Sequence, residues 1–212
     1  MKSVLILLLI VPCIVFGQKY QKGTILFKNG KTLTCLLKPP SGPADKKIET
    51  KLSAEADKVS YKSDELKTIT IPTKDSAAYE FAWMPSKKIL SDGLDYGWLF
   101  VILKGYATLY GSSDGYKINR NGELIEIGRS GGFSSPEFGF YTHRPGENYV
   151  TMIGVYSAGT FGLNNYFRKM SSKYFSDSPE IVKRINSKEF KIGDIRLVVQ
   201  EYNDWKAKSG VK

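Results

Sequence analysis

The sequence predicts an α+β domain: an antiparallel, strongly twisted sheet or partly open β-barrel, followed by two or three C-terminal helices. Two observations predict it. Over about residues 20–157 the apolar residues come in short runs, several alternating with a period of two, bounded by Gly, Pro and Asn. From about Gly162 the period changes to 3.6. Strands first and helices last is the order of an α+β domain.

The first element is not part of that domain. Met1-Lys2 is a short positive start, and Val4 to Phe16 is an uncharged run interrupted by Pro12. Val15-Phe16-Gly17 offers modest-sized residues before a cut that would leave Gln18 first. This is the order of a secretory signal peptide, and the run falls short of the roughly 20 apolar residues of a membrane span. Residues 1–17 are therefore expected to direct export, to the periplasm, the outer membrane or the medium. An uncleaved anchor is one alternative. Lipidation at Cys13 is another, which Pro12, in place of a small residue, disfavours. Cleavage would leave about 195 of the 212 residues: a β-rich domain over 18–157 and a helical segment over 158–212 packed on the sheet.

Gly23 to Leu37 gives the clearest strand signal. Asn29-Gly30 between two β-prone runs predicts a two-residue turn that pairs Lys28 with Lys31 and Leu26 with Leu33. Leu26, Leu33, Cys35 and Leu37 would then share one face, and Ile25, Phe27 and Leu36 the other. Pro39 to Pro43 reads as a loop. Short strands are expected at 47–52, 58–62 and 66–71, and at 78–83, where Pro85 should stop the strand. Gly97 to Leu103 is a continuous apolar run that suits a strand buried on both faces, with Tyr106 to Tyr110 as its hairpin mate. Gly111 to Gly115 reads as a loop, Asn121-Gly122 as a turn before a strand at 123–127, and Gly128 to Pro136 as a loop rich in Gly and Ser. Phe138 to Thr142 should pair with Tyr149 to Tyr156. Leu163, Tyr166, Phe167, Met170 and Tyr174 fall on one helical face. Ser178-Pro179-Glu180 starts a second helix, with Ser178 as cap and Ile181, Val182 and Ile185 as its inner stripe. Ile195, Val198, Val199, Tyr202 and Trp205 form the stripe of a third.

Three segments carry a resemblance. They are Gly23-Thr24-Ile25 through Gly30-Lys31-Thr32; Leu103-Lys104-Gly105 through Leu109-Tyr110; and Tyr174-Phe175-Ser176-Asp177-Ser178-Pro179-Glu180 with Phe190 and Glu201-Tyr202-Asn203. In these the chain resembles a family of uncharacterised exported proteins of Bacteroidota-type Gram-negative bacteria. The resemblance implies location and shape, and carries over no functional residue. Relatives often have Cys before the tail proline and after Tyr-Asn, where this chain has Ser178 and Asp204-Trp205, so any tail disulfide of the family is absent.

The charge is +10, close to +9 without Lys2, and the lysines are scattered. Such a surface serves solubility and permits weak contact with anionic membrane, lipopolysaccharide or acidic polymers. Nucleic acid is not an expected partner, since no recognition motif is present. Cys35, inside a strand pattern, reads as a buried small hydrophobe, with a reactive or intermolecular thiol as the alternative. His143 is the one histidine, so a zinc site lacks ligands, and neither metal nor cofactor is expected. A Ser-His-Asp triad would have to use His143, at a strand end, and no nucleophile elbow precedes a helix; an ordinary surface imidazole is the expectation. Gly128-Arg129-Ser130-Gly131-Gly132 lacks the ending of a phosphate-binding loop. The pairs Asp92/Asp95 and Glu123/Glu126 are in principle a glycosidase's carboxylates, with solvated faces as their usual role.

Aromatic residues concentrate mid-chain. Trp83, Trp98, Tyr106, Tyr110, Tyr116, Phe138, Phe140 and Tyr141 are expected mostly as core and cross-strand pairs. Any exposed among Trp83, Trp98, Tyr106, Tyr110, Tyr116, Phe138 and Tyr141 would form a surface for stacking sugar or peptide. The expected function is that of a non-enzymatic envelope protein that binds a partner protein or a surface glycan. The alternative is a hydrolase of envelope carbohydrate or peptide. Oligomeric state stays open.

Overall fold

The computed structural model describes residues 20–73, 78–87, 93–118, 124–126, 137–157 and 162–210. In chain order the strands are β1 (Gln21–Phe27), β2 (Thr32–Leu37), β3 (Lys47–Lys51), β4 (Val59–Lys62), β5 (Leu66–Pro72), β6 (Ala78–Lys87), β7 (Leu94–Leu103), β8 (Thr108–Ser113), β9 (Tyr116–Ile118), β10 (Leu124–Glu126), β11 (Glu137–His143) and β12 (Thr151–Ser157). The helices α1 (Leu163–Tyr174), α2 (Pro179–Asn186) and α3 (Ile195–Lys208) follow. The fold is α+β. Ten strands form one open antiparallel sheet in the order β12-β11-β8-β7-β6-β5-β1-β2-β3-β4, and β9 and β10 form a separate antiparallel pair.

The sheet curls at both ends. β4 is an edge, yet it passes into β5, four strands away, through Ser63–Glu65 alone. Four inter-strand steps on a flat sheet measure about 19 Å. The four residue steps from Lys62 to Leu66 reach at most about 14 Å, so the edge has to fold back. At the other end the Val150 amide donates to the Pro85 carbonyl (2.8 Å), a single parallel bridge between the start of β12 and β6.

The opening hairpin corrects the predicted register. Phe27 and Lys31 flank a three-residue loop: the Gly30 amide donates to the Phe27 carbonyl, and Gly30 has φ +85°. Asn29 does not have positive φ, so this is a type I turn with a bulge glycine, and not a type I′ turn. Ile25 therefore pairs with Leu33, and Leu26 with Thr32. A one-residue shift exchanges the faces. Ile25, with no exposed surface, replaces Leu26 in the core beside Cys35 and Leu37. In β5, Leu66 pairs with Phe27 and Thr68 with Leu26. Lys67 is the extra residue of a bulge, which brings Leu66 and Ile69 to the same core.

Two predicted boundaries move. β6 runs through Pro85 to Lys87, because β5 pairs with β6 only as far as Ala82. Beyond that point the side toward β5 has no ladder to lose, and an edge tolerates proline. β8 extends to Ser113 through the predicted loop, and Gly111 is required there: a Cβ would stand 2.4 Å from the Phe100 ring. The Asn121-Gly122 turn and the Gly128 to Pro136 loop lie outside the described residues.

Three apolar clusters result. One fills the curl of the N-terminal strands and includes Ile25, Leu37, Ile69, Phe81, Trp98 and Tyr116. The opposite face of β6–β8 supplies a small one from Ala82, Leu99, Tyr110 and Val150. The third lies between the helices and Ala107, Leu109 and Ile153. Alternation along β7 sends Trp98 and Phe100 into the first and Leu99 into the second, which is why that strand is apolar throughout.

The helices match the predicted spans with two corrections. α1 buries Phe167, Ser171 and Tyr174 and leaves Tyr166 exposed. Ser178 is buried, but its side chain makes no cap; its carbonyl accepts from the Val182 amide. α3 is fixed to the β7–β8 turn by Asn203. Its Oδ1 accepts from the Ala107 amide (2.7 Å) and its Nδ2 donates to the Ala107 carbonyl (3.0 Å), as a neighbouring strand would. A Cβ on Gly105 would lie 2.1 Å from Asn203 Nδ2, so glycine makes the approach possible. Asn203→Ala leaves two part-buried backbone groups without partners and should lower unfolding stability by about 1–3 kcal/mol. Urea unfolding with an unchanged m-value checks this, and a loss under about 0.5 kcal/mol would contradict it.

Candidate functional site

The described residues form two adjoining clefts where the β1–β2 turn, the β4–β5 link and the start of β7 meet. The first measures about 520 Å³ and is lined by Lys28, Lys46, Lys47 and Lys62, by Asp64 and Asp95, and by Trp83 and Tyr96. Local structure places each. Lys28 and Asp64 sit in turns, and Lys62 ends β4 opposite Lys47, which starts β3. Lys46 is held because the Ser63 amide donates to its carbonyl. Trp83 lies in β6 and Tyr96 in β7.

The rings form a layered wall. Tyr96 stacks on Trp83 with centroids 6.3 Å apart and planes 23° from parallel. Lys46 Nζ lies over the Trp83 ring at 5.2 Å, and Lys28 Nζ over Tyr96 at 5.6 Å. Tyr96 is 44% exposed and Trp83 only 6%. Among the described residues the Trp83 indole N–H has no hydrogen-bond partner. None of the four lysines is ion-paired with a described residue. Among the described lining residues four lysines stand with two carboxylates, a surplus of positive charge that favours anions.

Beneath it lies Trp98, fully buried and packed on Trp83 at 5.5 Å. Its indole N–H donates to Ser63 Oγ (3.0 Å), which donates to the Asp45 carbonyl (2.7 Å). The second cleft, about 630 Å³, shares Lys28 and Asp64 and adds Lys31, Phe27, Tyr61 and Glu65.

The seven aromatic residues singled out from the sequence do not form one surface. Trp83, Trp98, Tyr110 and Tyr116 are buried, because alternation along their strands turns them into the two sheet cores. Phe138 packs on Phe100 and Phe140; Tyr141 pairs with Tyr110 across β11 and β8; Tyr106 lies against Tyr202 of α3. Trp83 alone among the seven lines the first cleft, at its margin. Sequence reasoning did not single out Tyr96 or the lysines as a group. Of the acidic pairs, Asp95 is in the cleft, while Asp92 and Glu123 lie outside the described residues.

Compared with protein-family models, curated proteins and solved structures, the chain matches none.

His143 is half-buried and donates through Nε2 to the Glu147 carbonyl (2.8 Å), within the β11–β12 turn. The Glu147 carboxylate is occupied by the Arg144 guanidinium (2.9 Å) and the Tyr174 hydroxyl (2.9 Å). Among the described residues no group of three or more His, Cys, Asp and Glu could hold a metal ion. Burial pushes the Cys35 thiol up, which favours its inert form.

A second polar cluster joins that turn to the helices. Arg144 donates to the Tyr202 hydroxyl (3.1 Å), Tyr202 donates to Asp177 (2.9 Å), and Lys206 pairs with Asp177 (2.9 Å). Lys206 is buried, with Tyr106, Tyr202 and Trp205 rings 4.9–5.8 Å from its Nζ. Every member has a partner, so the cluster reads as a fastening. Burial would raise the Asp177 carboxyl, but hydrogen bonds from Lys206 and Tyr202 and the charges of Lys206 and Arg144 hold it below the usual range. Burial, with Asp177 adding to it, pushes Tyr202 up to about 12.

Two predictions follow from these contacts. Ser63→Ala leaves the buried Trp98 N–H without its acceptor and should lower stability by about 1–3 kcal/mol, with a change in tryptophan emission as Trp83 loses its support. Parental emission and stability would contradict the role given to Ser63. Asp177 has a depressed folded-state pKa, so its contribution is present above the unfolded value near 3.9 and disappears as pH falls through the folded value. The stability gap between the parent and Asp177→Asn should therefore be full at neutral pH and close as pH falls below the unfolded value near 3.9. Tyr202 is raised, so its contribution is complete below about pH 10 and is lost as pH rises toward 12. Urea titrations at stepped pH read both limbs, and a gap independent of pH would refute the assignment.

Proposed function

We propose that this is an exported cell-envelope protein that binds an acidic surface glycan in the lysine-lined cleft. One observation carries the reading: the exposed Tyr96 ring, stacked on Trp83, is ringed by lysines that no described carboxylate neutralises. A sugar presents an apolar C–H face to an aromatic ring, hydroxyls to carboxylates such as Asp64, and its own carboxylate to ammonium groups. Export rests on the signal-like order of residues 1–17. Among the described residues no helix is long and apolar enough to cross a membrane.

Titration of residues 18–212 with polygalacturonate should change tryptophan emission, and the affinity should fall as salt rises from about 50 to 300 mM, because exposed charges are screened. Tyr96→Ala should weaken binding about five- to tenfold. Equal affinity for neutral dextran, or no effect of Tyr96→Ala, would remove the reading, and retention of an envelope protein in its place would favour a protein partner.

A second reading, hydrolysis of an envelope carbohydrate or peptide, is favoured by the presence of the Asp64 and Asp95 carboxylates in the same cleft. New reducing ends released from polygalacturonate by the parent, and not by Asp64→Asn or Asp95→Asn, would replace binding with catalysis.

A further inference from the structure

The second cleft shares the first's kinds of group but not its charge: two lysines stand beside two acidic groups there, against four beside two in the first, so the first is the stronger anion site. Each has a pair of aromatic rings: Trp83 with Tyr96 in one, and Phe27 with Tyr61, edge to face at 5.1 Å, in the other. Each sets lysines beside acidic groups, and the two share a wall made by Lys28 and Asp64. Lys31 belongs to the second alone, and Lys47 to the first alone. The backbone beneath the shared wall is tied down. The Lys28 amide donates to the Glu65 carbonyl (3.0 Å), which ties the β1–β2 turn to the β4–β5 link.

Resting on the glycan reading above, we infer that the two clefts are consecutive subsites for one acidic oligosaccharide, with Lys28 as the contact common to both. Aromatic rings, lysines and carboxylates on either side of a shared wall suit a ligand whose own units repeat. A monosaccharide would leave one cleft empty, whereas a chain crossing Lys28 fills both. The lining also separates an acidic sugar from a polyphosphate. Asp64 and Glu65 stand among the lysines. They accept hydroxyl hydrogen bonds from a sugar but repel phosphates along a polyanion without hydroxyls. Each volume lies within the range of small-ligand pockets, so one or two sugar units per cleft fit.

The test is calorimetry on residues 18–212 with galacturonate oligomers of one to eight units at about 50 mM salt. The expected result is an affinity that climbs about tenfold or more with length and then levels off, because the second subsite is engaged intramolecularly. Lys31→Glu should weaken the longest oligomer and leave the shortest unchanged, while Lys47→Glu should weaken both. Lys169→Glu, on an exposed position of α1, changes net charge equally and should leave both affinities near parental. Circular dichroism confirms that each variant is folded. Binding that ignores length, or Lys31→Glu without effect on the longest oligomer, overturns the two-subsite inference and spares the glycan reading. No binding at any length removes that reading and this inference together. Polyphosphate of matched charge binding as tightly as the uronate chain overturns the choice of an acidic sugar.

Discussion

Trp98 is the residue on which the β half of the molecule depends. Its ring is fully buried, its amide donates to the Pro43 carbonyl, its carbonyl accepts from the Tyr116 hydroxyl, and its indole N–H reaches Ser63. One residue, through its backbone and its ring, thus unites β7, the proline-rich crossing, the β9–β10 pair and the link that returns the sheet edge. A buried indole donor that met no acceptor would cost about 1–3 kcal/mol, so Ser63 is fixed by Trp98 as much as Trp98 is by Ser63. The position of the cleft is a by-product of this arrangement. Lys46 and Lys62 adjoin Ser63, and Trp83 rests on Trp98.

The helical half is fastened by different physics. Apolar stripes on α1, α2 and α3 cover Ala107, Leu109 and Ile153, and such burial is non-directional. Direction comes from polar contacts at the rim: Asn203 on the Ala107 backbone, Asn164 on the Ile192 amide, and the Arg144–Tyr202–Asp177–Lys206 chain. Gly105, beside the β7–β8 turn, Asp177, before α2, and Tyr202 and Asn203 of α3 all contribute to this rim. That explains their residue types on structural grounds: a glycine where Asn203 approaches, and an amide able to serve donor and acceptor at once.

Much of the fold was legible. Period-two runs located most strands, and the change to 3.6 located the helices, because each element buries one face against the sheet core. Register and boundaries were less so. The Asn29-Gly30 signal located the hairpin, but two turn geometries fit those residues, and the choice depends on how β1 meets β5, a pairing distant in sequence. Pro85 is a breaker only where a ladder needs its N–H, and the sequence does not say where β5 stops pairing. The cleft was the least legible part. Lys28, Lys46, Lys47 and Lys62 are far apart along the chain and ordinary in type, and they meet because the sheet edge folds back. The three-residue link between β4 and β5 becomes a signal only once the strand order is known: it is too short to cross four strands of a flat sheet, so it brings the lysines at its end toward the β1–β2 turn.

The Asn203–Ala107 contact also says something about the order of events. It joins residues 96 positions apart, and α3 follows the whole sheet in chain order. Until it arrives, the apolar strip of Ala107, Leu109 and Ile153 has part of its cover missing, and loop closure over such a separation is slow to be rewarded. A sheet formed before α3 docks therefore keeps one greasy flank open to neighbours, and the folding chain is at greatest risk of self-association in that interval.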